Sequence, residues 1–164
     1  MNKRMERAAI GACLVVAAFF GSASAADWHS YAGSWAITGS AIAPWADPTH
    51  PPRSAESKRL AGKRVTFTAQ RVTGPRPLGC AKPQYKVEVV GPDLIFEGML
   101  AEPRGEMVGG AAAALAAAGA LGFDDPNNIT TLDTGCSEVR FHRLHRGAMV
   151  FALNNRIYTM VRKK

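Results

Sequence analysis

Short runs of alternating apolar and polar residues, separated by turn-forming residues, constrain the fold of this chain more than any other feature. In the clearest run, residues 63–72 (KRVTFTAQRV), Val65, Phe67 and Ala69 alternate with polar residues. A period of two places these side chains on one face of a β-strand. The other runs of this kind are residues 34–42, 85–90, 94–100, 129–133, 138–144, 148–153 and 156–161. We therefore expect a mainly β protein of about eight antiparallel strands.

The segments between these runs favour turns and loops. Residues 44–59 contain four prolines and many polar residues, which predicts a long loop. Residues 73–83, TGPRPLGCAKP, predict a second, rigid loop. The GPD sequence at 91–93 predicts a hairpin that leads into residues 94–100. Two asparagines at 154–155 predict a tight hairpin between the last two strands, because asparagine tolerates positive φ.

One segment departs from the β pattern. Residues 106–123, EMVGGAAAALAAAGALGF, are rich in alanine and predict a helix, although each internal glycine costs up to about 1 kcal/mol relative to alanine. The uncharged part of the segment is too short and too weakly apolar for us to expect a transmembrane helix. We expect the small side chains to let this helix lie close against a sheet or plug the end of a barrel. The predicted fold is a small barrel or strongly curled sheet with one Ala-rich helix inserted between strands.

The first 25 residues have the pattern of a secretory signal peptide. A basic start (MNKRMER) precedes an apolar segment, and the sequence SASA then supplies small residues before a cleavage point. We expect cleavage after Ala25, which leaves residues 26–164 as a single domain in the periplasm or outside the cell. An uncleaved membrane anchor is the less favoured alternative, because the many alanine and glycine residues make the segment a weak span. We do not expect lipidation at Cys13, because too little apolar chain precedes it.

The net charge adds little to the functional prediction. Residues 1–25 carry +2 of the total formal charge of +7, so residues 26–164 carry +5. Their lysines and arginines are scattered, except for the VRKK sequence near the C-terminus. Scattered charge on an exported chain argues against a nucleic-acid partner and allows weak attraction to an anionic cell envelope.

The cysteines and histidines of residues 131–147 (TLDTGCSEVRFHRLHRG) could belong to a metal site, a thiol nucleophile or a disulfide. After signal removal only Cys80 and Cys136 remain, and an oxidising compartment favours a disulfide between them. His142 and His145 are three residues apart, so in a strand they face opposite sides and cannot chelate one ion. No zinc-module spacing is present. We predict a Cys80–Cys136 disulfide and no metal site.

The segment YAGSW, residues 31–35, resembles the G-x-W signature of lipocalin-like barrels. The resemblance implies a barrel in which Trp35 closes one end and stacks on an arginine of the last strands. Arg156 and Arg162 are the candidates for that arginine. Small secreted bacterial protease inhibitors of the barrel type are similar in their G-x-W start and single disulfide, and short exported bacterial proteins of the same build are similar as a whole.

These observations predict an exported, non-enzymatic binding module for a small, partly apolar ligand. The alternative is a proteinaceous inhibitor or an envelope interaction protein that uses the proline-rich loops, since rigid loops lose little entropy on binding. We expect no enzymatic activity and no cofactor, because we find no Ser/His/Asp grouping, phosphate loop or metal spacing. The candidate ligand-binding residues are Trp35, Phe67, Arg71, Tyr85, Phe141 and Tyr158, with Phe96 and Phe151 as further candidates. The aromatic residues among them could equally fill a packed core.

If the signal-peptide prediction is correct, protein recovered from the periplasm or the medium begins at Ala26. N-terminal sequencing of the exported protein checks this prediction. Recovery of protein that retains the apolar segment, or that carries a lipid on Cys13, would contradict it.

Overall fold

A computed structural model describes residues 27–101 and 110–163. The predicted signal peptide, residues 1–25, and residues 106–109 of the predicted helix lie outside the described residues. The described strands are β1 (Gly33–Ile42), β2 (Arg64–Phe67), β3 (Arg71–Thr73), β4 (Cys80–Ala81), β5 (Lys86–Val90), β6 (Ile129–Asp133), β7 (Phe141–Arg143), β8 (Ala148–Leu153) and β9 (Arg156–Arg162). The described α-helices are α1 (Ser54–Leu60) and α2 (Gly110–Ala120).

The nine strands form one antiparallel sheet in the order β4-β3-β2-β1-β9-β8-β7-β6-β5. The sheet is curled into a half-barrel, which confirms the predicted mainly β, strongly curled architecture. Its two edge strands, β4 and β5, follow each other in the chain, so the curl brings the ends of the strand order together. Among the described residues, no helix is both long and apolar enough to cross a bilayer.

The seam between the two edges of the sheet is joined by covalent and polar contacts. Cys80 in β4 forms a disulfide with Cys136, which follows β6, as the sequence predicted. The loop closed by this bond spans a separation of 56 residues, for which the chain-entropy estimate is about 4 kcal/mol of stabilisation. Nearby, the Gln84 amide donates to the Thr134 carbonyl at 2.9 Å, and the Tyr85 hydroxyl donates to the Thr68 carbonyl at 2.8 Å.

Two predictions about the strands are wrong. Residues 63–72 are not one strand, because the chain turns at residues 68–70 and β2 and β3 form a hairpin. The amide of Thr68 donates to the Arg71 carbonyl at 3.0 Å and closes this turn. Residues 94–100 do not form a strand either. They make turns and a short 3-10 segment, Ile95–Gly98, outside the sheet.

The loops and helices agree with the predictions in part. Asn154 and Asn155 have φ values of 49° and 59°, and they form the predicted hairpin between β8 and β9. The alanine-rich segment contains α2, as expected. The predicted long loop at residues 44–59, in contrast, ends in the short helix α1. The sequence did not indicate this helix, because the prolines before it favour a loop.

The inner face of the curled sheet encloses the larger apolar core. Its largest fully buried side chains are aromatic and come from strands spread over the whole sheet, with the helix residue Leu60 also fully buried among them. We call this set the inner core: Tyr31, Trp35, Ile37, Leu60, Val65, Phe67, Val72, Leu78, Leu132, Val139, Phe141, Met149, Phe151, Tyr158 and Met160.

A second apolar cluster covers the outer face of the sheet. Helix α2 contributes Ala114 and Ala118, both fully buried, which pack with side chains of β6, β8 and β9 and of residues 95–100. These two alanines place one side of the helix in this cluster. We call this set the outer core: Ala43, Trp45, Ile95, Phe96, Leu100, Ala114, Ala118, Phe123, Ile129, Val150 and Ile157.

One end of the inner core is closed by Trp35. Its side chain is 1% exposed, and the indole N–H donates to the Tyr31 carbonyl at 2.8 Å. The guanidinium of Arg162 lies 4.7 Å from the centroid of the indole and donates to the carbonyls of Ala32 and Ser30. Of the two candidate arginines, Arg162 therefore stacks on Trp35, while Arg156 donates to Ser40 instead.

Gly33 makes this arrangement possible. Its φ of +108° is a conformation that residues with a side chain rarely adopt. A Cβ at this position would also lie 3.4 Å from Nη1 of Arg162. The glycine of the G-x-W segment therefore has a local structural role, because it permits the turn that leads Trp35 into the inner core.

Replacing Trp35 by Ala should lower the free energy of unfolding by about 3–5 kcal/mol, because it leaves a large cavity in the inner core. Chemical denaturation of the oxidised protein measures this change. The matched control is Trp28→Ala, since Trp28 is only partly buried and stacks on Tyr85 at the seam. A loss below about 1 kcal/mol for Trp35→Ala, or an equal loss in both variants, would contradict the assigned role.

Candidate functional site

Four of the predicted ligand-binding residues lie together in the inner core. Trp35, Phe67, Phe141 and Tyr158 are at most 1% exposed. The rings of Phe67 and Phe141 meet edge to face at 5.0 Å, and Phe151 stacks on Tyr158 at 5.0 Å. Such distances are those of directly packed aromatic rings. These residues pack against one another in the interior of the half-barrel.

The other two predicted residues are not fully buried, although Tyr85 packs against the inner core. Tyr85 stacks on Trp28 at 4.3 Å, and partial burial raises the pKa of its hydroxyl, which is bonded to Thr68. Arg71 is exposed on β3, where it pairs with Ala81. The period of two in residues 63–72 predicts Arg71 on one face with Val65 and Phe67, and this is wrong because the turn at residues 68–70 separates Arg71 from β2. The structure does not bring Arg71 together with the aromatic side chains of the interior.

A groove of about 380 Å³ lies beside the β8–β9 turn, where the outer core ends. A volume of this size is within the range of small-molecule sites. Its lining combines aromatic, aliphatic and polar side chains: Trp45, Phe96, Glu97, Met99, Glu138, Val139, Arg140, His142, Ala152, Leu153, Asn154 and Asn155. We call it the outer groove.

The aromatic wall of the outer groove comes from two loops. Trp45 follows β1 and is 7% exposed, while Phe96 belongs to the segment after β5 and is 6% exposed. Their ring centroids are 5.4 Å apart. Phe96 and Glu97 both have left-handed φ values, 48° and 60°, which are uncommon for residues with side chains. Backbone strain of this kind often occurs where a side chain is held in position for binding.

His142 forms part of the floor of the outer groove. Its side chain is almost fully buried, and the Phe96 ring packs edge to face against it at 4.7 Å. The Thr131 hydroxyl lies 2.8 Å from Nδ1, and the hydrogen bond between them runs in the direction that the tautomer of the neutral ring sets. The other nitrogen, Nε2, has no hydrogen-bond partner among the described residues.

Burial keeps this histidine uncharged. Desolvation, with a smaller effect of the Arg140 charge, lowers the pKa of His142 from 6.5 to about 3. His142 is therefore neutral at physiological pH. At the outer groove it therefore does not repel a cation.

The charges around the outer groove are unevenly balanced. Arg140 lies 3.8 Å from the Asp133 carboxylate and 3.6 Å from that of Glu88, which also pairs with Lys86 at 2.7 Å. Asp133 and, in part, Glu88 therefore offset its charge. Glu97 and Glu138 are exposed at the groove and form no ion pair within the described part of the chain. The outer groove therefore has an excess of negative charge and of hydrogen-bond acceptors.

The residues of the 131–147 segment do not meet in one site. Cys136 is in the disulfide, and His142 is buried beneath Phe96. His145 lies beyond β7 in the short 3-10 segment His145–Gly147, where it is exposed and contacts Asp124. Within residues 27–101 and 110–163, no three His, Cys, Asp or Glu side chains are grouped so that they could hold a metal ion.

Sequence reasoning missed most of the outer groove. Trp45 and the segment around Phe96 fell in a predicted loop and a predicted strand. One signal was available: AMVFAL (148–153) has apolar residues at consecutive positions, which is typical of a strand buried on both faces. A second apolar face on β8 requires a cover, and the uncharged segments at 94–96 and 110–123 could have supplied it.

Comparisons with known proteins identified no relative of this chain. No protein-family profile matches the chain, and neither the curated proteins nor the solved structures include a significant match. The stack of Trp35 on Arg162 is the arrangement that the G-x-W resemblance implies, but it does not establish family membership.

Acidification should destabilise the protein through His142. As the pH falls below about 6.5 the unfolded chain takes up a proton at this residue, whereas the folded protein takes it up only near pH 3. The contribution of neutral His142 to the free energy of unfolding is complete above pH 6.5 and is lost as the pH falls from 6.5 to about 3. We expect the free energy of unfolding to fall by about 2 kcal/mol between pH 7 and pH 5 from this group.

Urea denaturation at both pH values measures this loss, and His142→Gln should remove it. The exposed His29→Gln is the matched control and should leave the loss unchanged, because His29 is largely solvent-accessible. If the wild type and His142→Gln show the same dependence on pH, His142 is not buried in its neutral form.

Proposed function

We propose that this protein is an exported, non-enzymatic binding protein that takes a small, partly apolar ligand in the outer groove. The observation that carries the proposal is the position of the groove. The aromatic side chains of the half-barrel interior pack against one another, while the outer groove offers an aromatic wall and several polar groups around about 380 Å³. An apolar surface with a few convergent polar groups is the usual composition of a ligand site.

Export is part of this proposal and is supported by the N-terminal sequence. The basic start, the apolar segment and the small residues before Ala26 have the order of a cleavable signal. The disulfide between Cys80 and Cys136 is consistent with it, because disulfides persist in oxidising compartments.

The alternative is a proteinaceous inhibitor or envelope interaction protein that uses its proline-rich loops. One observation favours it: the Asp47 carboxylate accepts hydrogen bonds from the Thr49 amide and hydroxyl at 2.8 and 2.6 Å and bonds His50 at 2.9 Å. This network holds an exposed loop in one shape, and a preordered loop loses less entropy when it binds. An inhibitor needs a protein partner, so binding of a small probe in the outer groove distinguishes the two functions.

The uncharged dye Nile red, which fluoresces in apolar surroundings, should bind the mature protein in the outer groove. Trp45→Ala removes one aromatic wall and should weaken binding about tenfold, measured by fluorescence titration. Trp28→Ala removes an indole that lies outside the groove and should leave the affinity unchanged. Circular dichroism confirms that both variants are folded.

Two results would contradict the proposal. Absence of dye binding by the wild type would mean that the outer groove does not accept an apolar ligand. Equal affinity of the wild type and Trp45→Ala would place the bound dye elsewhere on the protein.

A further inference from the structure

The residues that line the outer groove favour one class of ligand by their chemistry as well as by the shape of the groove. Its wall includes the rings of Trp45 and Phe96, whose centroids are 5.4 Å apart, and the flexible thioether side chain of Met99. Aromatic faces attract cations electrostatically, and tryptophan does so most strongly. An apolar ligand would pack on this wall with either no charge or a positive charge, and the remaining lining decides between the two.

Two of the three charged side chains that line the outer groove are carboxylates, those of Glu97 and Glu138. A ligand that supplies N–H donors would satisfy both. A ligand with a carboxylate or phosphate would face two negative charges, and the one arginine in the lining is already offset by Asp133 and, in part, by Glu88.

The local charge is opposite to that of the whole chain. Residues 26–164 carry a formal charge of +5, so the long-range field of the protein attracts anions. An excess of negative charge confined to an aromatic groove is therefore a property of the groove and not of the protein surface in general. From this complementarity we propose that the ligand of the outer groove is an organic cation, an aromatic or aliphatic amine in its protonated form.

This proposal rests on the proposed function and specifies its ligand class. The apolar body of the amine lies against Trp45 and Phe96. The ammonium group lies at the carboxylates of Glu97 and Glu138. Because His142 stays neutral at physiological pH, it does not oppose the bound cation.

Three probes that share one apolar body test the ligand class. These are 3-phenylpropylamine, which is protonated at pH 7, the neutral 3-phenylpropanol and the anionic 3-phenylpropanoate. Displacement of Nile red from the mature protein measures all three affinities at low ionic strength. We expect the amine to bind about tenfold more tightly than the alcohol, and the carboxylate to bind most weakly.

The double variant Glu97→Gln/Glu138→Gln should abolish the preference for the amine over the alcohol. The matched control is Asp27→Asn/Asp124→Asn, which removes the same charge from two exposed side chains outside the groove. The control should keep the preference, because the carboxylates that make it are untouched.

Any other result of these binding measurements contradicts either the inference about cations or the proposed function. If Nile red binds in the groove but the three probes bind equally, or the anion binds best, the inference about cations is wrong and the proposed function stands. If the preference for the amine survives Glu97→Gln/Glu138→Gln, or is lost in the control, it does not arise in the groove and the inference is again wrong. If neither Nile red nor any probe binds, the proposed function fails, and the inference fails with it.

Discussion

Strands β8 and β9 bury side chains on both of their faces, and the rest of the structure depends on this. Met149 and Phe151 point into the inner core, whereas Val150 between them belongs to the outer core. In β9, Tyr158 and Ile157 divide in the same way. Exposing either face to water would forfeit about 1.5–3 kcal/mol for each large apolar side chain, so each face needs a cover. The curl of the sheet covers one face, and α2 with residues 95–100 covers the other.

The inner core is closed by different means at its ends and at its seam. At one end the indole of Trp35 lies under Arg162, whose guanidinium also holds the carbonyls of the entering chain. Elsewhere α1 contributes Leu60, and Glu56 accepts hydrogen bonds from Asn154 in the β8–β9 turn. The disulfide and Tyr85 join the two edges of the sheet. These contacts explain how a half-barrel keeps a closely packed interior, and they direct attention to its outer surface for function.

The outer groove occurs where the cover of the outer face stops short of the β8–β9 turn. The left-handed backbone at Phe96 and Glu97 turns one side chain onto His142 and leaves the other at the groove. Burial of His142 destabilises the folded protein in acid, because the protonated, charged ring would be desolvated beneath Phe96. The same burial keeps the ring uncharged beside the groove. Stability at low pH and the chemistry of the groove are thus linked through one residue.

The period-two pattern determined that the chain is mainly β, and the even cysteine count in residues 26–164 determined the disulfide. Both depend on short-range or compositional rules that act whatever the final packing. The aromatic residues of the half-barrel and the turn at Asn154–Asn155 followed from the same rules. Tertiary structure decided where the strand pattern yields: residues 68–70 turn because Thr68 bonds Arg71, and residues 94–100 leave the sheet to cover Val150 and Ile157. It also brought Trp45, Phe96 and His142 together from three separate segments. Such contacts depend on which elements cover the second face of β8 and β9, and no local pattern in the sequence specifies that choice.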